Sequence, residues 1–376
     1  MSKTLIYADH AATTALSPKA REAMEPFLQA SYGNPSTLYS LAREPRRAIS
    51  HSREVIAAAI HADPSEIYFT SGGTEADNWA LKGTAFRHTP GKKIITSAIE
   101  HHAVLNACSS LRKMGYQIHT LPVDSEGMIH EKTLETVLSP DTILVSVMLA
   151  NNEIGTIEPV QRLAEIAHGA GALFHTDAVQ AIGHISVDVD VLGVDLLSAS
   201  AHKFNGPKGV GFLYIRKGTD IVPLIDGGGQ ESGMRSGTEN VAGIVGMAVA
   251  LQEHMDQMTH EAIYLQGLAN TLITQLKQHQ LDFLINGSSQ RIPGSLSLSF
   301  EGADGEMLLH RLDLMGTAVA TGSACNSKET ELSHVIEAIQ IPENYASGTI
   351  RITLGMDNTE DQMYTIADQI QKIIGV

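Results

Sequence analysis

Short apolar runs alternate with amphipathic stretches between about residues 65 and 215. The apolar runs have the length of strands, and between them apolar residues recur every three or four positions, which is the spacing of helices. This alternation is typical of an α/β fold, a mostly parallel sheet with helices on both faces. The predicted strands are Ile67–Thr70, Lys93–Thr96, Thr142–Val147, Leu173–Phe174, Leu196–Leu197 and Gly211–Ile215, and the predicted helices are Glu75–Phe86, His102–Met114, Val160–Ala170 and about Val241–Met258.

The pattern changes after about residue 258. A helix, a strand at Ser295–Phe300, a helix from Glu306, a strand at Thr349–Thr353 and a last helix ending near Ile374 predict an α+β domain with an antiparallel sheet. The early strand candidate at residues 5–7 is expected to join it. The sequence therefore predicts a large domain of residues 15–258 and a smaller one built from residues 1–14 and 259–376.

Charge and composition narrow the function classes. The 376 residues include 26 Lys and Arg against 42 Asp and Glu, a net charge of −16 that argues against direct nucleic-acid binding. The first residues lack the apolar core of a signal peptide, and no apolar run approaches the roughly 18 residues that span a bilayer. We expect a cytoplasmic protein without a membrane partner.

A lysine and an acid follow two of the predicted strands. Lys203 ends the run Ser200-Ala201-His202-Lys203 after an apolar segment, and Asp177 follows the apolar segment 172–174. Neighbouring parallel strands end at the same edge of a sheet, so the two side chains can converge. Pyridoxal phosphate (PLP) requires a lysine for its aldehyde and an acid for its ring nitrogen, and Gln180 could donate to its phenolate oxygen. The alternative for Asp177 is a helix N-cap.

The turn between the first of these strands and its helix is rich in small residues. Its sequence, Thr70-Ser71-Gly72-Gly73-Thr74-Glu75, places backbone N–H groups at the positive end of a helix, where phosphate binds. We predict phosphate contacts from Gly73 and Thr74, with Ser200 and His202 as further donors. An ordinary strand-to-helix turn with Thr74 as the N-cap is the alternative.

Two more strand ends carry polar side chains. His101 follows the strand at residues 93–96, and its imidazole could stack on a cofactor ring and move protons near neutral pH. Asn151-Asn152 follows the apolar run 147–150 and offers an amide to the phenolate oxygen or to a substrate carboxylate. The 17 histidines include no zinc-binding motif, so no metal is expected.

The two cysteines differ in their surroundings. Cys325 lies in a run of small and polar residues, and we expect a mobile loop of about residues 321–333 in which its thiol can react and then travel. Cys108 shares a predicted helical face with Val104 and Leu111 and is expected in the core.

Two further polar residues are candidates for binding. Arg351 stands in a strand where an apolar residue is expected, and its guanidinium suits a substrate carboxylate. The alternative is an arginine on the exposed face of that strand. Thr238 ends a glycine-rich loop and could add a hydroxyl to a phosphate site.

Taken together, these motifs resemble the class V aminotransferase family of PLP enzymes, and within it the cysteine desulfurases of the NifS and IscS type. The resemblance runs nearly end to end, from Tyr7–Thr14 through Gly33-Asn34-Pro35 and Asn151–Gly155 to Ser347–Arg351. It implies the PLP-dependent transferase fold type I, with a large PLP-binding domain around a mostly parallel seven-stranded sheet and a smaller α+β domain.

The resemblance also implies roles for the candidate residues. Lys203 would bind the cofactor covalently and take the Cα proton of L-cysteine, and Cys325 would attack the substrate sulfur as a thiolate, giving a persulfide and L-alanine. His101 would stack on the ring and shuttle protons, while Asn152 and Arg351 would bind substrate. Thr238 would reach the phosphate across a homodimer interface. The implied cofactor contacts are Gly73, Thr74, His101, Asn152, Asp177, Gln180, Ser200, His202, Lys203 and Thr238.

The identity of the sulfur acceptor stays open. The segment around Cys325 resembles the long-loop group that passes sulfur directly to acceptor proteins, although residues 328–331 are more charged than in many such loops. The extension with which the IscS type engages the iron–sulfur scaffold does not follow Ile374, so a tRNA-thiolation enzyme is a comparable candidate. The alternatives are a selenocysteine lyase or another β-eliminating PLP enzyme, and a non-catalytic sulfur-transfer adaptor, against which Lys203, Asp177 and His101 argue.

Overall fold

A computed structural model describes residues 5–89, 91–322 and 332–375. The strands are β1 Ile6–Tyr7, β2 Ile67–Thr70, β3 Lys93–Ser97, β4 Gln117–Leu121, β5 Thr142–Ser146, β6 Leu173–Asp177, β7 Leu196–Ser200, β8 Gly211–Ile215, β9 Phe283–Ile285, β10 Ser295–Phe300, β11 Thr317–Ala318 and β12 Thr349–Thr353. The helices are α1 Pro18–Gln29, α2 Arg43–Ala59, α3 Gly73–Phe86, α4 His102–Lys113, α5 Glu131–Val137, α6 Val160–Gly169, α7 Val189–Leu192, α8 Val241–Gln278, α9 Gly305–Met315, α10 His334–Ala338, α11 Glu343–Ala346 and α12 Glu360–Ile374.

The large sheet has seven strands in the order β2-β8-β7-β6-β5-β3-β4. Strand β8 is antiparallel to both of its neighbours, and the other pairings are parallel, so the prediction of a mostly parallel seven-stranded sheet is confirmed. The carboxyl ends of β2, β3, β5, β6 and β7 therefore meet at one edge. In open sheets of this kind that edge is where ligands bind.

Both faces of this sheet are covered. Consecutive residues of a strand point to opposite faces, and here they enter two different hydrophobic clusters. Leu197 and Phe212 belong to one cluster, while their neighbours Leu196 and Leu213 belong to the other, together with Trp79 of α3. Because both faces of these strands are buried, their sequences are continuous apolar runs.

The smaller sheet is antiparallel, with the order β12-β10-β9. Strand β1 pairs with β11. Ile6 of β1 lies in the same hydrophobic cluster as the side chains of β10 and β12. The assignment of residues 1–14 and 259–376 to a smaller domain stays a prediction.

One helix differs from the sequence prediction. The sequence predicts a helix end near Met258, whereas α8 continues without interruption from Val241 to Gln278. Its first half packs into the large core through Ile244 and Leu251, and its second half packs into the small core through Leu268 and Leu272. The change of pattern marks a change of packing partner rather than a helix end. Among the described residues, no helix is long and apolar enough to cross a membrane.

Candidate functional site

A cavity of ≈ 400 Å³ opens at the carboxyl edge of the large sheet, next to the smaller domain. Ten of the twelve residues that the sequence singles out for the site line it: Gly73, Thr74, His101, Asn152, Asp177, Gln180, Ser200, His202, Lys203 and Arg351. The strand-end argument therefore brings together residues that are far apart in sequence.

Lys203 and Asp177 lie at the ends of adjacent strands. The Nζ atom of Lys203 donates hydrogen bonds to the backbone oxygens of Ala11 at 2.7 Å and Ala12 at 2.8 Å. Asp177 is 4 % exposed, and its Oδ1 accepts a hydrogen bond from the N–H of Val179 at 2.9 Å. Burial raises the pKa of Asp177, and His101, the Val179 N–H and Lys203 oppose that shift. The carboxyl thus lies at the cavity wall with a cation close by.

His101 occupies the N-cap position of α4. Its Nδ1 accepts the hydrogen bond of the Ala103 N–H at 3.1 Å, so a neutral ring carries its proton on Nε2. Burial lowers the pKa of His101, while the nearby Asp177 raises it and Lys203 lowers it further. A neutral imidazole at this place can donate or exchange a proton on the cavity side.

The phosphate candidates lie where the cavity meets a second, more open pocket of ≈ 340 Å³. Gly73, Thr74, Ser200 and His202 line both. Gly72, not Thr74, is the N-cap of α3, so the alternative with Thr74 as N-cap is wrong. Thr74 is an exposed residue of the first helical turn, where backbone N–H groups lack carbonyl partners within the helix. Burial and Lys203 lower the pKa of His202 to about 4.

Arg351 is 6 % exposed, so the alternative of an arginine on an exposed strand face is wrong. Its Nη2 forms an ion pair with Asp9 Oδ1 at 2.6 Å, and its Nη1 donates to the backbone oxygen of Asn152 at 2.9 Å. Its Nε is buried without a hydrogen-bond partner in the described part of the chain. The guanidinium is therefore held in place from two sides, and each of its two terminal nitrogens has a second N–H beyond the one used in these contacts.

The two asparagines at the end of β5 have different surroundings. Asn151 is 1 % exposed, and its amide bonds to backbone groups, donating to Ile99 and accepting from Glu153 and Ile154. Asn152 is the one that lines the cavity. Gln180 also lines it and donates from Nε2 to the backbone oxygen of Ala11 at 3.0 Å.

Three further expectations concern the two cysteines and Thr238. Cys108 is buried with Val104 and Leu111, as predicted, and burial raises the pKa of its thiol to about 12. Cys325 lies outside the described residues. Thr238 is exposed and does not line the cavity of its own chain, and its predicted contact across a homodimer interface stays a prediction.

Two acids in the cavity wall were missed from the sequence. Glu153 accepts a hydrogen bond from Ser333 at 2.5 Å, and burial raises its pKa to about 7. Asp77 is 1 % exposed and lies on the inner face of α3. The sequence contains a sign of this acid, because Gly73, Ala76 and Ala80 on the same helix face are small and a carboxyl is rarely buried among such residues.

The ligand atoms of Asp77, His101 and Asp177 lie within 4.8 Å of one another. Such a spacing could hold a metal ion. The same three side chains also fit a hydrogen-bonded wall without a metal ion. The two carboxyls contact each other, and His101 Nδ1 already accepts a hydrogen bond from the Ala103 N–H.

The comparisons with known proteins agree with this geometry. The family model for aminotransferase class-V matches residues 6–365. A cysteine desulfurase IscS from Dictyoglomus turgidum is 52 % identical over 374 residues, which cover 99 % of this chain and 95 % of the relative.

Solved structures give the same picture. A NifS-like protein superposes with a TM-score of 0.93 at 38 % identity, covering 99 % of this chain and 100 % of the other. A structure described as SspA in complex with cysteine superposes with a TM-score of 0.83 at 34 % identity, covering 93 % of this chain and 98 % of the other. The fold, the position of the cavity and these full-length similarities agree. The chain therefore belongs to the aminotransferase class-V family and, within it, to the cysteine desulfurases.

Proposed function

We propose that this protein uses PLP to convert L-cysteine to L-alanine and retains the sulfur as a persulfide on Cys325, for transfer to an acceptor protein. The observation that carries the proposal is the convergence of Lys203, Asp177, His101 and Arg351 on one cavity. An amine, an acid, an imidazole and a fixed guanidinium are the groups that PLP chemistry on an amino acid requires.

The residues present fit this cofactor. Asp177 provides a buried carboxyl for the ring nitrogen, and His101 provides a flat neutral ring in the same wall. The first turn of α3 provides an anion site, and the absence of a side chain at Gly73 matters there. A Cβ atom at that position would come within 2.7 Å of Val179 Cγ2. When bound, PLP withdraws electrons from the substrate Cα.

Separate residues of the chain then carry out the binding, proton-transfer and sulfur-transfer steps. Lys203 Nζ accepts the Cα proton, and Arg351 holds the substrate carboxylate through the N–H groups that Asp9 and Asn152 leave available. The Cys325 thiolate attacks the substrate sulfur, so that an S–S bond forms while the C–S bond breaks and its electron pair stays with the carbon. His101 is placed to supply a proton from Nε2.

Mass spectrometry after incubation with L-cysteine tests the sulfur site. We expect one added sulfur on Cys325 and none on Cys108, because the Cys108 thiol is 2 % exposed and burial raises its pKa to about 12. The Cys325→Ser variant is the control and should carry no added sulfur. Sulfur on Cys108, or none on either cysteine while alanine accumulates, would contradict the proposal.

Arg351→Leu tests the carboxylate site. We expect the KM for L-cysteine to rise about 10- to 100-fold, the effect of losing hydrogen bonds to a charged group, while visible absorbance of bound cofactor is retained. Arg351→Lys should recover only part of the loss, since an ammonium cannot keep the Asp9 and Asn152 contacts and donate to the substrate at once. An unchanged KM in the leucine variant would assign the carboxylate to another residue.

A homodimer and a sulfur-acceptor protein complete the proposal. The phosphate end of the cavity opens into the second pocket, which leaves room for a residue from outside the chain. Thr238, exposed on its own chain, is the proposed donor from a partner subunit. The acceptor is an iron–sulfur scaffold or a tRNA-thiolation enzyme, and copurification followed by transfer of labelled sulfur distinguishes the two.

A further inference from the structure

Asp77 is a buried acid next to the cofactor-binding wall to which the proposed mechanism gives no task. Its side chain is 1 % exposed, on the face of α3 that also buries Gly73, Ala76 and Ala80. A carboxylate without compensation is very costly in such a place, so the group must be paired with a cation or neutral.

The neighbours of Asp77 decide between these two states. A basic side chain, His175, lies close to it, with Nε2 at 3.7 Å from Asp77 Oδ1, and would form an ion pair only if its imidazole were protonated. His175 is itself fully buried, with its ring nitrogens at 2.8 Å from Ser146 Oγ and 3.0 Å from Ser198 Oγ. Burial lowers the pKa of His175 to about 3, so this imidazole is neutral and supplies no positive charge.

The other close group is the carboxyl of Asp177, which has an oxygen within 4.8 Å of an Asp77 oxygen and takes part in a side-chain hydrogen bond with Asp77. Two buried carboxyls in contact cannot both be ionised, and one of them keeps a proton. Asp77 Oδ1 accepts no hydrogen bond from the described residues, whereas Asp177 Oδ1 accepts the Val179 N–H and Asp177 has Lys203 nearby. These contacts favour the charge on Asp177 and the proton on Asp77.

The electrostatics of the wall act in the same direction. Burial raises the pKa of Asp77 well above its ordinary value, and the charges of Asp177 and Glu100 raise it further, with the Ser198 hydroxyl opposing. The titratable groups that face Asp77 from the packed elements are thus Asp177 and His175 of β6, Glu100 after β3, and His101 at the start of α4.

We propose that Asp77 is a positioning residue whose protonated carboxyl donates a hydrogen bond to Asp177 and so fixes the orientation and the negative charge of Asp177 toward the cavity. The inference rests on the proposed function in so far as Asp177 serves the cofactor ring. With the Val179 N–H on one side and Asp77 on the other, the Asp177 carboxylate is held by two donors from different elements.

Asp77→Asn and Asp77→Leu separate a hydrogen-bond donor from a space-filling side chain. Asparagine keeps the size and can donate to Asp177 from its amide, while leucine has a similar volume and no donor. We expect the leucine variant to bind PLP about 10-fold or more weaker, as for a lost hydrogen bond to a charged group. The pH at which its bound cofactor changes absorbance should shift by about one unit or more. Asparagine should restore both values to near those of the unmodified protein.

The cofactor-free protein gives a readout that does not depend on the proposed function. An acid whose pKa is raised by folding stabilises the folded state less as pH rises above its unfolded pKa, until the folded pKa is passed. The urea midpoint of the unmodified protein should therefore fall relative to that of Asp77→Asn as pH rises from about 5 to 8. Glu100, His101, His175 and Asp177 are present in both proteins, so their titration largely cancels in the difference.

Each outcome is decisive. Equal loss of PLP affinity in the asparagine and leucine variants would show that Asp77 acts as an anion and would overturn the inference. A leucine variant with the affinity and absorbance of the unmodified protein would assign Asp77 to packing alone. Parallel urea midpoints at all pH values would show that Asp77 is ionised in the folded state. Failure of every variant, the unmodified protein included, to bind PLP would instead refute the proposed function, and the urea series would still test the protonation of Asp77.

Discussion

Lys203→Ala is expected to lower the rate of alanine formation by about 10²- to 10⁴-fold, the usual contribution of a positioned general base. The variant removes the amine that we propose both binds the cofactor and accepts the Cα proton. Lys203 Nζ lies at the cavity wall against the backbone of Ala11 and Ala12, with no second lysine among the described residues that line the cavity. Alanine release and the visible absorbance of the purified protein measure the two losses separately.

Two further variants control this result. Lys217→Ala removes an exposed lysine of the large domain that does not line the cavity, and it should leave both readouts unchanged. Lys203→Arg keeps the positive charge but has no amine for the aldehyde and cannot be deprotonated, so it should resemble alanine. Activity close to that of the unmodified protein in Lys203→Arg would contradict the assigned role.

Cys325→Ser is expected to lower alanine formation by more than about 10³-fold, as removal of a covalent nucleophile does elsewhere. A serine hydroxyl is a far weaker nucleophile than a thiolate at neutral pH, whereas the cofactor wall built by Lys203, Asp177 and His101 is untouched. Visible absorbance should therefore be retained while turnover is lost, a combination that Lys203→Ala does not give.

The other cysteine provides the matched control. Cys108→Ala removes a buried thiol of α4 and should change stability rather than turnover, because Cys108 lies in the core and not at the cavity. Alanine formation that survives in Cys325→Ser would show that the sulfur leaves without a bond to Cys325, as in a selenocysteine lyase, whereas pyruvate and sulfide in place of alanine would indicate β-elimination.

Much of the site could be predicted because parallel strands impose an edge. Asp177, Lys203 and His101 each follow an apolar run, and the rule that such runs end at one side of the sheet is enough to bring them together. Arg351 was recognised as an unexpected charge in a strand, but its burial and its contact with Asp9 depend on pairing between segments 342 residues apart. Local pattern contains no information about that pairing.

The misses have equally physical causes. Strand β4, Gln117–Leu121, was not predicted, because it lies at the sheet edge and most of its side chains are partly exposed, so that no apolar run marks it. Asp77 is not predicted because it lies on the buried face of helix α3, and the strand-end rule applies only to residues that follow a strand. The Thr74 N-cap alternative failed since Gly72 takes that position with φ 140°, a conformation open to glycine.

The continuous helix α8 has a consequence for how the protein unfolds. Its apolar positions serve one core near Ile244 and the other near Leu272, along a single uninterrupted backbone. Melting either half of the molecule alone would leave an apolar stripe of that helix in water, which raises the free energy of every partly unfolded state. The helix therefore joins two separately packed halves into one cooperative unit.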